Sequence, residues 1–317
     1  MHKLFLALVA AAVFGSAAPA ALAQAKTPLA FVTNSPSDYW TLCQKGTQAA
    51  AKHLGNVSVQ FLQPPDGTVA SQKSEIDDLL AAGVKGIAVA PVDPTNETPY
   101  LNTVAAQTHL ITTDSDAPRS KRLCYVGTDN HAAGVMAGRL LREALPHGGQ
   151  VMLFVGRANA QNAHERIAGM QDALRGSRVQ VLGVRTDDAD HARATANVRD
   201  TLTRYPHLAG MVGIWSYNGP AILRGLKDAG KLGKVKVVAF DEEQDTIRGV
   251  QNGTVYAAVA QDPYQFGYQS VLLLAQLARG DRHGIPESKL RYVPTRAVTR
   301  ANVAAYLAED KRRMSGR

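Results

Sequence analysis

Gly86-Ile87-Ala88-Val89-Ala90-Pro91-Val92-Asp93-Pro94-Thr95 runs from an unbroken apolar segment straight into a proline-bounded polar loop. An apolar run without polar alternation suits a strand buried on both faces, the condition of a parallel strand covered by helices. Just upstream, Ala81-Ala82-Gly83 closes a helical stretch on a glycine stop. Helix end, buried strand and polar loop together make half of a βαβ unit.

The same unit recurs in both directions. Apolar runs at 29–33, 57–62, 86–90, 109–113 and 123–126 are followed by a second series at 151–155, 179–184, 210–214, 235–240 and 257–260. Helical patterns lie between them, clearest at 39–54, 69–82, 132–145, 163–174, 195–205, 219–229 and 264–279, and several end on Gly55, Gly83, Gly176, Gly230 or Gly280. This rhythm predicts an α/β protein with open, doubly wound, mostly parallel sheets. So many strands divide into two sheets, hence two lobes. Ala81–Ile87 and Pro206–Val212 read as weak copies of one helix-to-strand unit, as two related lobes require.

Composition narrows the class. The chain is 45% apolar and 20% charged over 317 residues, enough for two packed domains. His2 and Lys3, an apolar run from Leu4 to Phe14 and Ala21-Leu22-Ala23 predict a cleaved signal peptide over residues 1–23, so a periplasmic location follows. No later run is long enough to span a bilayer. The formal charge of +8 is spread out, without the basic and aromatic clustering of a nucleic-acid binder; the one basic run is Lys311-Arg312-Arg313 in a tail over 311–317. The two cysteines, Cys43 and Cys124, read as buried thiols, and no Cys/His spacing suggests a metal. Neither cofactor nor metal is expected.

In open α/β sheets a ligand binds beyond the carboxyl ends of the strands. Following the strands in order gives Tyr39 and Trp40, Asp93, Asp114 and Asp116, Asn162 and Arg166, Asp188, Tyr217 and Asn218, Asp241, then Gln261. Carboxylates, amides, one guanidinium and flat rings suit a neutral polyol, whose hydroxyls both donate and accept and whose C–H face packs on rings. The acids would repel an anion. An Asp at a strand end serves equally well as a helix cap, and Trp40 fits a core as well as a platform.

These residues resemble the type 1 periplasmic sugar-binding proteins, the group with ribose-, galactose- and glucose-binding members. The markers are Ser37-Asp38-Tyr39-Trp40, Ala90 to Thr95, Thr113-Asp114-Ser115-Asp116, Val126 to Asn130, Asn162 with Arg166 to Met170, Tyr217 to Ala221, Phe240-Asp241 and Ala260 to Tyr264. The pattern is most similar to glucose-binding members from thermophilic bacteria. The resemblance implies ring stacking at Trp40 aided by Tyr39, hydroxyl binding at Asp114, Asp116 and Asp241, amides at Asn162 and Gln261, and the guanidinium of Arg166. Ser115, and Trp215-Ser216, depart from the ribose-binding pattern and favour a hexopyranose such as glucose. The resemblance further implies one lobe at 26–129 plus 263–290, another at 130–261 plus 292–310, hinge closure on a sugar, and delivery of that sugar to the permease of an ABC importer; free diffusion between membranes adds the expectation of a monomer. The same fold also serves pentoses, furanose signals, polyols and nucleosides.

An enzyme is the weaker class: adjacent acids such as Asp187-Asp188 do not face each other across a scissile bond, and no nucleophile or zinc motif is present. A transcription regulator of this fold would need a DNA-binding segment where the leader stands.

Overall fold

The computed structural model describes residues 25–314. The leader expected over 1–23 and the end of the basic tail lie outside the described residues. Strands β1 (Thr27–Val32), β2 (Val57–Leu62), β3 (Gly86–Val89), β4 (His109–Thr113) and β5 (Tyr125–Gly127) build one sheet. Strands β6 (Gly149–Val155), β7 (Val179–Thr186), β8 (Gly210–Gly213), β9 (Lys236–Phe240) and β10 (Ala257–Ala260) build another. β11 (Leu290–Tyr292) completes the first and β12 (Arg296–Thr299) the second. Their orders, β11-β5-β4-β3-β1-β2 and β12-β10-β9-β8-β6-β7, are the same arrangement twice. Every pairing between these strands is parallel except that of β12 with β10. The weak sequence repeat precedes β3 and β8, which hold the same place in the two orders.

The helices are α1 (Trp40–Leu54), α2 (Val69–Ala81), α3 (Pro94–Ala105), α4 (Asn130–Ala144), α5 (Gln161–Leu174), α6 (His191–Arg204), α7 (Asn218–Asp228), α8 (Gln244–Asn252), α9 (Pro263–Ala278) and α10 (Val303–Met314). They cover both faces of each sheet. Leu29 and Phe31 of β1 pack towards α1 and α9, while Ala30 and Val32 pack towards Ile76 of α2 and Leu101 of α3. In the second sheet Val151 and Leu153 face α4 and α5, and Met152 and Phe154 face α6 and α7. Burying one such large side chain contributes about 1.5–3 kcal/mol, and the period of two along each strand feeds two cores from one run.

α4 and α5 pack with their backbones almost in contact. A Cβ at Gly134 would stand 2.1 Å from the carbonyl oxygen of Arg166, and one at Gly169 would stand 2.0 Å from that of His131. α1 and α9 repeat the device at Gly46 and Gly267. Cys43 and Cys124 are both buried and unbridged.

The chain passes between the sheets three times. It leaves the first after β5, because α4 packs on α5, β9 and β10. It returns after β10, because α9 packs on α1, β3 and β4, and it leaves again between β11 and β12. The three passages touch: the Val293 N–H donates to the Gly127 carbonyl at 2.7 Å, and the Thr128 hydroxyl donates to Gln261 Oε1 at 2.7 Å.

Candidate functional site

The loops beyond the carboxyl ends of both sheets enclose a cavity of about 200 Å³. One wall comes from the first sheet: residues 34–37 after β1, the start of α1, residues 65–67 after β2, and Asp114 after β4. The other comes from Arg157 after β6, Asn162 and Arg166 of α5, Asp188, Ala189 and His191 after β7, Trp215 to Tyr217 after β8 and Asp241 after β9; Gln261 lines the join between them.

Arg166 lines this cavity and is 1% exposed. Its Nε donates to Asn130 Oδ1 at 2.9 Å and its Nη1 to the Ile214 carbonyl at 2.9 Å, while the guanidinium plane lies 4.5 Å from the Phe240 ring centre. Nη2 is buried and has no protein partner. Leaving such a donor unmade costs about 1–3 kcal/mol, more for a charged group. An arginine built this way waits for an acceptor.

Asp114 and Asp241 flank it, both buried and both in the left-handed backbone region, with φ of 58° and 67°. Aspartate is one of the few non-glycine residues that adopt this backbone as single residues, and these two do so beyond the ends of β4 and β9. Burial raises the Asp241 carboxyl to about 6 against the opposing pull of Arg166 and Gln261. Burial raises Asp114 as well, again opposed by Arg166.

The amides hold these acids in place. Gln261 Nε2 donates to Asp241 Oδ1 at 2.8 Å and to the Tyr39 hydroxyl at 3.1 Å. That hydroxyl donates to Asp114 Oδ1 at 3.0 Å. Asn162 Nδ2 reaches Asp114 Oδ2 at 3.4 Å, and Asn162 Oδ1 accepts from the Trp215 indole N–H at 3.2 Å. The Asn162–Asp114 contact and that of Arg157 Nη2 with the Gly67 carbonyl at 3.5 Å join the two walls.

The aromatic side of the cavity belongs to the second sheet. The Tyr217 hydroxyl donates to Asp187, its ring stacks on His191 at 4.5 Å, and the half-buried Trp215 ring meets it edge-on at 6.4 Å. Gly156 makes room, since a Cβ there would lie 2.1 Å from the indole.

Of the residues singled out in the sequence, Tyr39, Trp40, Asp114, Asn162, Arg166, Asp188, Tyr217, Asp241 and Gln261 line this one cavity. Three do not, and their partners say why. Asp93 caps α3, accepting from Asn96 N–H at 3.2 Å and its side-chain amide at 2.7 Å. Asp116 is consumed by a buried pair with Arg122 at 2.5 Å and by the Thr112 hydroxyl. Asn218 sits behind the wall, accepting from the Trp215 N–H at 2.9 Å and donating to Asp187 at 3.2 Å. Trp40 reaches the cavity but is 2% exposed, its ring edge-on to Phe31 and Tyr39 within the first core. Asp188 stands at the rim, paired with Arg193 at 2.7 Å. Arg157 and His191 also line the cavity without having been singled out in the sequence, and Trp215, read there only as a departure from the ribose-binding pattern, lines it too. Arg157 and Trp215 stand two residues past the ends of β6 and β8 and His191 opens α6, which was the available signal.

Residues 29–282 match the family model described as periplasmic binding protein domain. The ribose import binding protein of Salmonella typhimurium is 28% identical over 288 residues, covering 89% of this chain and 95% of that protein. The D-allose-binding periplasmic protein of Escherichia coli is 27% identical, covering 77% and 82%. An ABC transporter solute binding protein from Burkholderia graminis, solved with D-arabinose, superposes with a TM-score of 0.84 at 28% identity, covering 89% of this chain and 98% of that one. A glucose-galactose binding protein from Geobacillus stearothermophilus gives 0.82 at 27% identity, covering 87% and 98%. With a model match over most of its length and the fold repeated in solved relatives, this chain belongs to the periplasmic binding protein domain family.

Proposed function

We propose that this chain is an exported receptor that captures one monosaccharide between its two lobes and hands it to the permease of an ABC importer. Arg166 carries the assignment: it lines the cavity, its buried Nη2 has no protein partner, and two buried carboxylates line the same cavity. A sugar hydroxyl accepts one hydrogen bond and donates another, so it answers the guanidinium and a carboxylate together. An anion would meet two acids and a cation the arginine; a neutral polyol meets neither penalty. A cavity of about 200 Å³ falls below the roughly 300–1,000 Å³ of sites for drug-sized ligands and suits a single ring. Trp215, with its half-buried face, is the better stacking surface for the C–H side of that ring.

The finer assignment is a hexopyranose, glucose first, on the strength of Ser115 and Trp215-Ser216. Relatives named for ribose and solved with D-arabinose support a pentose as the second reading. The lobes run 26–129 plus 263–290 and 130–261 plus 292–310, the hinges lie at the three passages, and closure over the sugar presents both lobes to the permease. The protein acts in the periplasm as a monomer after loss of residues 1–23. Among the described residues no helix is long and apolar enough to cross a membrane. Isothermal titration of ligand-free protein with D-glucose, D-galactose, D-ribose, D-allose and D-arabinose tests the assignment. One-to-one binding of a hexose is expected; tightest binding of a pentose moves the ligand to the second reading, and heat from none of them overturns the sugar site.

A further inference from the structure

Tyr125 opens β5 and is 2% exposed, so a phenylalanine would fill its core position equally well. Its hydroxyl does something packing does not require. It lies 2.9 Å from the Asp114 carbonyl and 3.0 Å from the Thr128 carbonyl, and shares its one proton between them. On its acceptor side Asn130 Nδ2 approaches at 3.3 Å. The other end of that amide, Asn130 Oδ1, accepts from Arg166 Nε at 2.9 Å. The backbone is shaped for this contact, since a Cβ on Gly127 would stand 2.3 Å from the hydroxyl oxygen.

We propose that Tyr125 is a positioning residue for ligand capture, its hydroxyl joining Asp114 of the first lobe to Arg166 of the second through Asn130. The proposal rests on the assignment of the cleft as the ligand site. Asp114 stands in left-handed backbone, so fixing its carbonyl fixes the direction in which its Cβ leaves the chain, from where Tyr39 and Asn162 hold the carboxylate. Asn130 begins α4 just past the first passage. The hydroxyl therefore spans the point at which the two walls of the cleft turn relative to one another. The remaining cleft acid is tied in from the same segment, because Thr128 holds Gln261 and Gln261 holds Asp241 and Tyr39. Burial and the nearby Asp114 push the phenol well above its ordinary value, so it stays a donor at every working pH.

The test is Tyr125→Phe in the full-length exported protein, measured by equilibrium titration and stopped flow with D-glucose, D-ribose, D-allose and D-arabinose. Kd about tenfold weaker is expected, through faster dissociation with association within twofold. Tyr100→Phe is the control for loss of a tyrosine hydroxyl: on α3 it gives up bonds to Asp77 and the Lys73 carbonyl, outside the cleft and the passages. It should lower the melting midpoint and leave Kd within twofold. A folded Tyr125→Phe protein with wild-type Kd and dissociation rate overturns the proposal. Should that variant not fold, Asn130→Asp removes the amide donor and keeps an acceptor for Arg166; tenfold weaker binding upholds the link and wild-type affinity overturns it. Asp241→Asn separates the two levels. If it loses binding while Tyr125→Phe binds normally, only the positioning role fails; if it binds as wild type, the cleft assignment fails and this role with it.

Discussion

Asp241 and Asp114 sit either side of one guanidinium, so proton occupancy at this point has two opposite consequences. Asp241 lies at about 6 because it is buried, against about 4 for an ordinary carboxyl. Asp187 lies at about 6 and Glu97 at about 7 for the same cause. A carboxyl whose folded value exceeds its unfolded value holds its proton more tightly when folded, so stability falls as pH rises from about 4 to about 6 or 7. The ligand-free protein should therefore melt higher at about pH 5 than at about pH 7.5, by an amount on the order of 2 kcal/mol per group, and Asp241→Asn should shrink the difference. Sugar affinity should run the other way. Protonated Asp241 gives up an acceptor, so Kd should weaken as pH drops through about 6. Titrations at a series of pH values check this, and a flat Kd from about pH 5 to about pH 8 would contradict the role of the ionised acid.

At the scale of the element, two residues separate cap from site and helix from cleft. Asp93→Ala should lose only the α3 cap, costing about 1 kcal/mol and leaving Kd unchanged, as melts and titration of the same variant will show. Gly169→Ala is the contrasting case. Its Cβ would press on the His131 carbonyl, so α5 must move away from α4 and carry Asn162 and Arg166 with it. A loss of about 1–3 kcal/mol is expected, with weaker binding; unchanged Kd would mean α5 is not fixed by that contact. Most of the strands β1 to β10 were legible as apolar runs, while β2 and β7, with Gln60, Gln180 and Arg185 among their residues, showed through their Val and Leu content. β11 and β12 were not, being short edge strands of partly exposed residues such as Arg291 and Arg296. α3 was masked by Pro94 and Pro99 and α8 by its nine-residue length. Strand-end position located the cleft acids but did not separate Asp114 from Asp93 and Asp116, because a carboxylate reads the same in sequence whether it faces a cavity, a helix terminus or an arginine six residues away. Trp40 gave the same ambiguity: it packs in the first core at 2% exposure and also lines the cavity.

Over the whole molecule, one sheet order is used twice, and the three passages between the copies meet at residues 127–128, 261 and 293. That join places a buried, half-satisfied arginine where both copies end their strands. The α/β rhythm of the sequence announced the two sheets; the contacts among the passages depend on residues more than a hundred positions apart and had no local signature. The most direct measurement is the thermal melt of refolded, ligand-free protein against hexoses, pentoses, polyols and nucleosides, repeated with Asp241→Asn. A sugar at one hundred times its Kd should add about 2.7 kcal/mol, a rise of several degrees that Asp241→Asn abolishes. A shift from nucleosides alone, or a sugar shift that survives in Asp241→Asn, would contradict a monosaccharide site built on Arg166 and its two acids.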